Sequence, residues 1–279
     1  MMFLFQLRNE LWKLFGKKRT YIGFLMFLLA QNAILILFRF SHVPKQMTRL
    51  LEINGLSSTG YISILTLGTM MVVLIAYTML PLYVALIGGD LVAKEAEDGT
   101  MRMILCRPIS RIRLLLLKWL AGFIFAVTLV LVLGLFGLLF ASFWFPWGGL
   151  FVGPPVLSFS VYDAAEGLRR YALGHLFMIP KAATIMTMGF MFSCFNMKPA
   201  AATILALSLL MISGILEQVP FFSDFQEWFI SYHVNVWQSL FDPRIPWWKI
   251  GQSMSILIGY NVTFLLVGCT AFHVRDIKS

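Results

Sequence analysis

The chain has 279 residues, of which 59% are hydrophobic and only 13% are charged, and its formal net charge is +9. Soluble domains carry about 25% charged residues, whereas the apolar residues here form uninterrupted runs of roughly 20, long enough to cross a bilayer as helices. This composition excludes a soluble globular protein and predicts an all-α, multi-pass membrane protein. Because the basic residues flank the apolar runs, they are typical of membrane orientation signals, and no nucleic-acid partner is expected.

Residues 1–19 are predicted to form an amphipathic helix that lies in the membrane interface, with its basic side toward water and anionic lipid. The apolar face of this helix would carry Leu4, Leu7, Leu11, Leu14 and Phe15, and the polar face would carry Gln6, Asn9, Glu10, Lys13 and Lys17. The alternative is a frayed basic tail.

Residues 20–279 are predicted to form a transmembrane domain of six helices. The predicted spans are residues 20–38, 61–89, 114–141, 171–195, 199–216 and 250–272. The second span is longer than a bilayer requires and contains Pro81, which lacks a backbone donor and is expected to kink the helix.

The segments between the spans are predicted to be irregular or short. Residues 39–60 are expected to be a polar stretch, residues 142–160 a loop, and residues 163–170 a short amphipathic lead-in to the fourth span. Residues 217–249 are aromatic but too polar for a crossing, so we expect them at the outer membrane interface, where Trp and Tyr are favoured.

The distribution of basic residues predicts the orientation. Fourteen of the twenty-two Lys and Arg residues flank the spans on the side of both termini, seven lie on the other side, and Lys181 falls within a span. The positive-inside rule therefore predicts cytoplasmic N- and C-termini in the cytoplasmic (inner) membrane.

Charge is concentrated between the second and third spans. Residues 88–119 hold four of the thirteen acids and six of the Lys and Arg residues. Asp90 to Asp98 are predicted to continue the second span, and Gly99 is suited to the left-handed turn that ends a helix.

A short helix is predicted after this turn. Thr100 would cap a helix over 101–106, Pro108 would end it, and Ser110 would cap the helix that becomes the third span. A short charged helix held between two transmembrane helices can transmit force to both. The alternative is a solvated loop that carries orientation charge.

This segment resembles the signature of the ABC-type-2 export permeases. In that family, "E-x-x-x-G-T", then "P-x-S-R" and a later Lys join the second and third helices. The matching residues here are Asp90, Glu95, Asp98-Gly99-Thr100, Arg107-Pro108-Ile109-Ser110-Arg111 and Lys118.

The resemblance implies a permease subunit that pairs with a second permease copy, identical or closely related, and with two separate ATP-binding subunits. It implies that the N-terminal helix and the coupling segment 90–113 dock on those ATPases. The residues implied in ATPase coupling are Asp90, Glu95, Asp98, Gly99, Thr100, Arg107, Pro108, Ser110 and Arg111.

The chain contains no G-x-x-x-x-G-K-[ST] phosphate loop, the motif that cradles nucleotide phosphates. It is therefore not expected to be an enzyme, and ATP and Mg would be bound by the partner subunit. We predict no catalytic residues, no bound cofactor and no metal site.

Three residues are candidates for a translocation path or gate, namely Pro81, Lys181 and Glu217. Ionisable groups within a bilayer usually face a protein interior or a watery path. Lys181 could instead extend toward the membrane surface, and Glu217 could be an ordinary interfacial carboxylate. His175 is the other ionisable residue of the fourth span, and its spacing from Lys181 places the two on different faces.

The expected function is the export of an amphipathic or lipid-like substrate with ATP hydrolysed by a separate subunit. The alternative is a mechanotransmission or assembly module that passes ATPase motion to an extracytoplasmic partner without moving a solute. A secondary transporter or membrane enzyme would be expected to show paired intramembrane carboxylates or an inverted repeat, and the sequence shows neither.

Overall fold

A computed structural model describes residues 2–57, 60–105, 110–153 and 159–274. Apart from one short hairpin, the regular structure in these ranges is helical. The α-helices are α1 (Met2–Phe15), α2 (Lys18–Phe40), α3 (Val43–Ile53), α4 (Ile64–Tyr77), α5 (Met79–Glu97), α6 (Thr100–Leu105), α7 (Arg111–Ser142), α8 (Ala164–Cys194), α9 (Pro199–Gln218), α10 (Ile230–Asn235) and α11 (Trp247–Val274).

Five of these helices, α2, α7, α8, α9 and α11, are long and apolar enough to cross a membrane. The pair α4–α5 meets the same criteria when it is counted as one broken span, which raises the number to six. The chain is therefore a helical protein with the character of a multi-pass membrane protein.

The second predicted span is bent by 47° between α4 and α5. The break falls at Thr78, one turn before Pro81. Proline cannot donate to the carbonyl four residues earlier, here that of Tyr77, and its ring clashes with the same group. The predicted kink is confirmed, and its position follows from this geometry.

The helix α8 forms the centre of the bundle, because 72% of its most apolar window is buried. It packs against α5 at backbone contact. A Cβ atom on Gly189 of α8 would lie 2.7 Å from the carbonyl oxygen of Ala85, and one on Gly88 of α5 would collide with the backbone of Met186. These glycines allow the two helices to approach closely.

The structure corrects the prediction for residues 142–160. Two strands, β1 (Leu150–Val152) and β2 (Ser160–Tyr162), form an antiparallel hairpin in which Phe151 pairs with Val161. Strands of three residues are too short to show a clear alternation of polar and apolar side chains, which is why the sequence suggested a loop.

Two further segments differ from prediction. The polar stretch 39–60 contains α3, whose Met47 and Leu51 are buried against the bundle. Residues 163–170 are not a separate lead-in but the first turns of α8, because Asp163 caps that helix by accepting a hydrogen bond from the backbone N–H of Glu166 at 3.1 Å.

Residues 217–249 form no long helix, as the sequence predicted. They contain the end of α9, 3₁₀ helices over Pro220–Trp228 and Val236–Phe241, the short α10, and the start of α11. Phe221, Trp228 and Trp248 in this segment are strongly exposed. Their position in a membrane interface stays a prediction.

Candidate functional site

An ion network joins three helices that are distant in sequence. The Nζ atom of Lys118 on α7 lies 2.7 Å from Oε2 of Glu95 on α5 and 3.0 Å from Oε2 of Glu10 on α1. Lys13 of α1 lies 2.7 Å from Oε1 of Glu10 and 3.4 Å from Oε1 of Glu95. We call Glu10, Lys13, Glu95 and Lys118 the α1–α5–α7 network.

The network is largely removed from solvent. The side chain of Lys118 is 1% exposed, and those of Glu10 and Glu95 are 12% and 16% exposed. The two carboxylates and two ammonium groups of the network balance in formal charge, and each of them contacts a group of opposite charge. Removing one member of a buried pair typically costs about 3–5 kcal/mol, because the other charge stays buried without compensation.

The network shifts the pKa values of its two members on α1. Burial alone would raise the pKa of Glu10, but the ammonium groups of Lys118 and Lys13 outweigh it, so the pKa of Glu10 lies below its ordinary value. Burial alone would lower the pKa of Lys13, but its contacts with Glu10 and Glu95 hold that pKa above its ordinary value. Both shifts favour the charged, paired state.

This network corrects the predicted orientation of α1. The sequence places Glu10 on the water-facing side, yet its side chain points into the bundle toward Lys118. Leu14 of the predicted apolar face is also buried in the bundle. The helix therefore attaches to the bundle partly through charge.

A second ion pair lies beside the network. Arg19 at the start of α2 contacts Oδ2 of Asp90 at 2.6 Å. The hydroxyl of Thr20 donates to the carbonyl of Leu14 at 2.7 Å, and the hydroxyl of Tyr83 donates to the carbonyl of Thr20 at 2.9 Å. These contacts hold the junction of α1 and α2 against α5.

The turn after α5 is exposed. Asp98 is 49% exposed and pairs with Lys94 at 3.0 Å, and Gly99 has φ +73°, the left-handed conformation predicted from the sequence. The hydroxyl of Thr100 donates to the carbonyl of Glu95 at 3.2 Å. Thr100 is thus the first residue of α6 and bonds back to α5, whereas the sequence predicted a cap that precedes the helix.

The start of α7 follows the prediction. Ser110 caps α7 by accepting a hydrogen bond from the backbone N–H of Arg113 at 3.3 Å. Arg111 donates to the carbonyl of His273 near the end of α11 at 3.2 Å.

Arg107 and Pro108, two of the predicted coupling residues, lie outside the described residues. The described coupling residues therefore form three groups. Asp90 and Glu95 are held inside the bundle by ion pairs, Thr100 and Arg111 are half-buried, and Asp98, Gly99 and Ser110 are exposed.

A cavity of about 710 Å³ opens at the bend between α4 and α5. Its walls come from the bend, α8, α9, residues 231–239 and the start of α11. Pro81, Lys181 and Glu217, the three candidate path or gate residues, all line it. These three residues are far apart in the sequence, and the fold brings them together at one cavity.

Lys181 is 2% exposed, so its side chain is enclosed by the protein. Its Nζ atom donates to Oδ1 of Asn235 at 2.8 Å and lies 5.0 Å from the ring centre of Tyr77 and 6.0 Å from that of Trp237. His175 contacts the carbonyl of Tyr171 at 2.8 Å and does not line this cavity. As predicted, the two residues occupy different surroundings.

One buried arginine, Arg170, was not predicted from the sequence. Arg170 of α8 donates to Glu166 at 2.8 Å, to the hydroxyl of Tyr162 at 2.9 Å, and to the carbonyls of Leu240 and Asp242 at 2.8 and 2.6 Å. Arg170 thus joins the hairpin and the second 3₁₀ helix to α8. The sequence shows two adjacent arginines at 169 and 170, but it does not show that Arg170 is buried while Arg169 is exposed.

Comparisons with known proteins give a family without a described function. The family model "Protein of unknown function (DUF2705)" matches residues 22–278. "Uncharacterized protein YhcI" of Bacillus subtilis (strain 168) is 25% identical over 206 residues, which are 71% of this chain and 64% of that protein. The chain therefore spans less than two thirds of the length of this curated relative. By the match over residues 22–278, the chain belongs to the family described as protein of unknown function DUF2705.

Proposed function

We propose that this chain is the transmembrane permease subunit of an ABC exporter, working with a separate ATP-binding subunit and a second permease copy. The observation that carries the proposal is the α1–α5–α7 network, which fastens the N-terminal helix and both helices that flank residues 98–110 into one unit. A push on that segment would reach all three helices together.

The helix α5 supplies a mechanical link between the two ends of this proposed path. It runs without a break from Pro81 at the cavity to Glu95 in the network. At 1.5 Å per residue, these positions are about 21 Å apart along the helix axis. Displacement of the network end would therefore move the wall of the cavity.

The exposed turn offers a docking surface for the ATP-binding subunit. Asp98 and Gly99 follow the end of α5 and are exposed, and so is Ser110, which caps the start of α7. In this proposal six spans, counting α4–α5 as one, place both termini and the turn in the cytoplasm of an inner-membrane protein. The partner would bind ATP and Mg, and this chain would use the resulting motion to export an amphipathic substrate.

Co-purification from the native membrane tests this proposal. The tagged chain would be extracted in mild detergent and the eluate analysed by mass spectrometry, with Asp98→Arg compared with the unaltered protein. Asp98 is exposed, and its pair with Lys94 is of the exposed kind that contributes only about 0–1 kcal/mol, so the substitution changes the docking surface and leaves the fold intact.

Asp224→Arg is the matched control, because Asp224 is also an exposed acid but lies in the segment 217–249. We expect an ATP-binding protein to elute with the unaltered chain and with Asp224→Arg, and to be strongly reduced with Asp98→Arg. Absence of any ATP-binding protein from a folded, abundant sample would contradict the proposal. Co-elution without movement of any solute in reconstituted vesicles would favour a mechanotransmission module.

A further inference from the structure

We infer that the cavity at the α4–α5 bend binds an amphiphile with an anionic head group, whose charge pairs with Lys181 and whose apolar chain leaves between α5 and α9. This deepens the proposed function by naming a substrate class, although the binding itself needs no ATP-binding subunit. The inference is drawn from the surroundings of Lys181, the charges of the cavity and the shape of its opening.

Lys181 is a buried cation in neutral surroundings. Its Nζ atom has one hydrogen-bond partner, the neutral amide oxygen of Asn235, and two aromatic rings nearby. Among the described residues, no carboxylate lies within ion-pairing distance of Nζ. Buried charges in proteins are normally paired, so this ammonium group can accept a counter-ion that the described residues do not supply.

The cavity is also lined by other charged side chains. Among the described residues that line the cavity, the other charged side chains are Glu217 of α9 and Lys249 of α11. Lys249 lies 4.8 Å from the ring centre of Tyr232. Two lysines and one glutamate give a formal excess of one positive charge, which favours an anion over a cation.

The cavity has the size of a small-molecule site and is open on one side. A volume of about 710 Å³ lies within the range of about 300–1,000 Å³ that is typical of small-molecule sites. Leu82 of α5 and Met211 of α9 line it and are 53% and 65% exposed. The cavity thus opens sideways between two apolar helices, where an acyl chain would be in contact with membrane lipid while its head group reaches Lys181.

Binding of matched probes to the purified chain in phosphatidylcholine nanodiscs tests the inference. Oleate and oleyl phosphate carry an anionic head, oleyl alcohol carries the same chain without charge, and inorganic phosphate carries charge without a chain. Each probe would displace a fluorescently labelled oleate. We expect the two anionic amphiphiles to bind at least about tenfold more tightly than oleyl alcohol, since a hydrogen bond to a charged group is worth about that factor.

Variants assign the discrimination to Lys181. Lys181→Met should remove the preference for the anionic probes and leave oleyl alcohol unchanged, whereas Lys181→Arg should retain it. Lys45→Met is the control, because Lys45 is exposed and does not line the cavity. If Lys181→Met does not fold, Leu82→Trp takes its place, and its larger side chain in the lateral opening should weaken oleate and oleyl alcohol together.

Three results would overturn the inference. The first is equal affinity of oleate and oleyl alcohol for the unaltered chain. The second is an unchanged preference for the anionic probes in Lys181→Met or, where that variant does not fold, unchanged affinities in Leu82→Trp. The third is displacement of the labelled oleate by inorganic phosphate as effectively as by oleate. The last result would identify a site for a free anion. Because the assay contains no ATPase, failure here leaves the co-purification result standing, and failure of co-purification leaves this one standing.

Discussion

The ammonium group of Lys118 lies 2.7 Å from the carboxylate of Glu95, and the Lys118 side chain is 1% exposed. Both residues belong to the sequence pattern that resembles the ABC-type-2 permeases. In the structure they face each other across α5 and α7 and also hold α1 through Glu10. Their role in the fold is therefore to fasten helices within this chain, and Asp98 is the better candidate for contact with a partner.

Lys118→Met should destabilise the protein by about 3–5 kcal/mol, because Glu10 and Glu95 would stay buried with only Lys13 as counter-charge. The measurement is the loss of folded protein with temperature in detergent, followed by size-exclusion chromatography. Lys94→Met is the control, since Lys94 forms only exposed pairs on one helix, and it should change the midpoint little. Equal midpoints for the two variants would contradict the importance of the α1–α5–α7 network.

The attachment of α1 should depend on pH in a defined direction. The pKa of Glu10 in the folded protein lies below its ordinary value of 4.5, so its stabilisation is present above pH 4.5 and is lost as pH falls through the lower value. The pKa of Lys13 lies above its ordinary value of 10.5, so its stabilisation is present below pH 10.5 and is lost as pH rises through the higher value.

Hydrogen–deuterium exchange of the α1 amides checks this dependence. Protection factors, corrected for the intrinsic effect of pH on exchange, should be constant around neutral pH and should fall in acidic solution as Glu10 becomes protonated. In Glu10→Gln they should be lower throughout, with no further acid step from this residue. A protection factor that stays constant down to the pH where the whole bundle unfolds would rule out this role for Glu10.

Replacing Pro81 should straighten the α4–α5 span. Pro81→Ala restores a donor for the carbonyl of Tyr77 and removes the ring that clashes with it, so the 47° bend should decrease. Spin labels at Leu74 and Leu86, which are both exposed, report this as a longer distance by pulsed electron resonance. Leu82→Ala is a control on the same helix. An unchanged distance would mean that packing around the bend, including the contact of Gln238 with Tyr77, holds the kink without proline.

Arg170→Lys should destabilise the hairpin nearly as much as Arg170→Met. The guanidinium group contacts acceptors on α8, on β2, in the second 3₁₀ helix and at Asp242 just after it, and an ammonium group cannot reproduce this planar geometry. We expect a lower thermal midpoint and faster proteolysis between β1 and β2 in both variants. Arg169→Met, at an exposed position, should behave like the unaltered protein. Rescue by Arg170→Lys would show that charge alone matters there.

Local features of the fold could be predicted because the residues that cause them act on their own neighbours. The kink follows from Pro81, the left-handed turn from Gly99, and the start of α7 from the Ser110 cap. Long apolar runs likewise showed the helices that can cross a membrane. In each case the physical cause lies within about one helical turn of the effect.

The remaining features depend on partners that are distant in sequence. Glu10 looked water-facing because helical periodicity contains no information about Lys118, which is 108 positions away. The burial of Lys181 could not be predicted, because Asn235 and Tyr77 approach it only through the packing of α8 against other elements. The strands β1 and β2 are stabilised by pairing with each other and by Thr66, whose hydroxyl accepts a hydrogen bond from Phe151 at 2.9 Å.

Photo-cross-linking in the native membrane can detect the proposed contact between the turn after α5 and an ATP-binding subunit. A photoreactive amino acid would replace Asp98 in one sample and Asp224 in another, and the cross-linked products would be identified by mass spectrometry. We expect an adduct with an ATP-binding protein at position 98 and none at position 224. Cross-links from position 98 to lipid or to this chain alone, in a sample with normal folding, would contradict it.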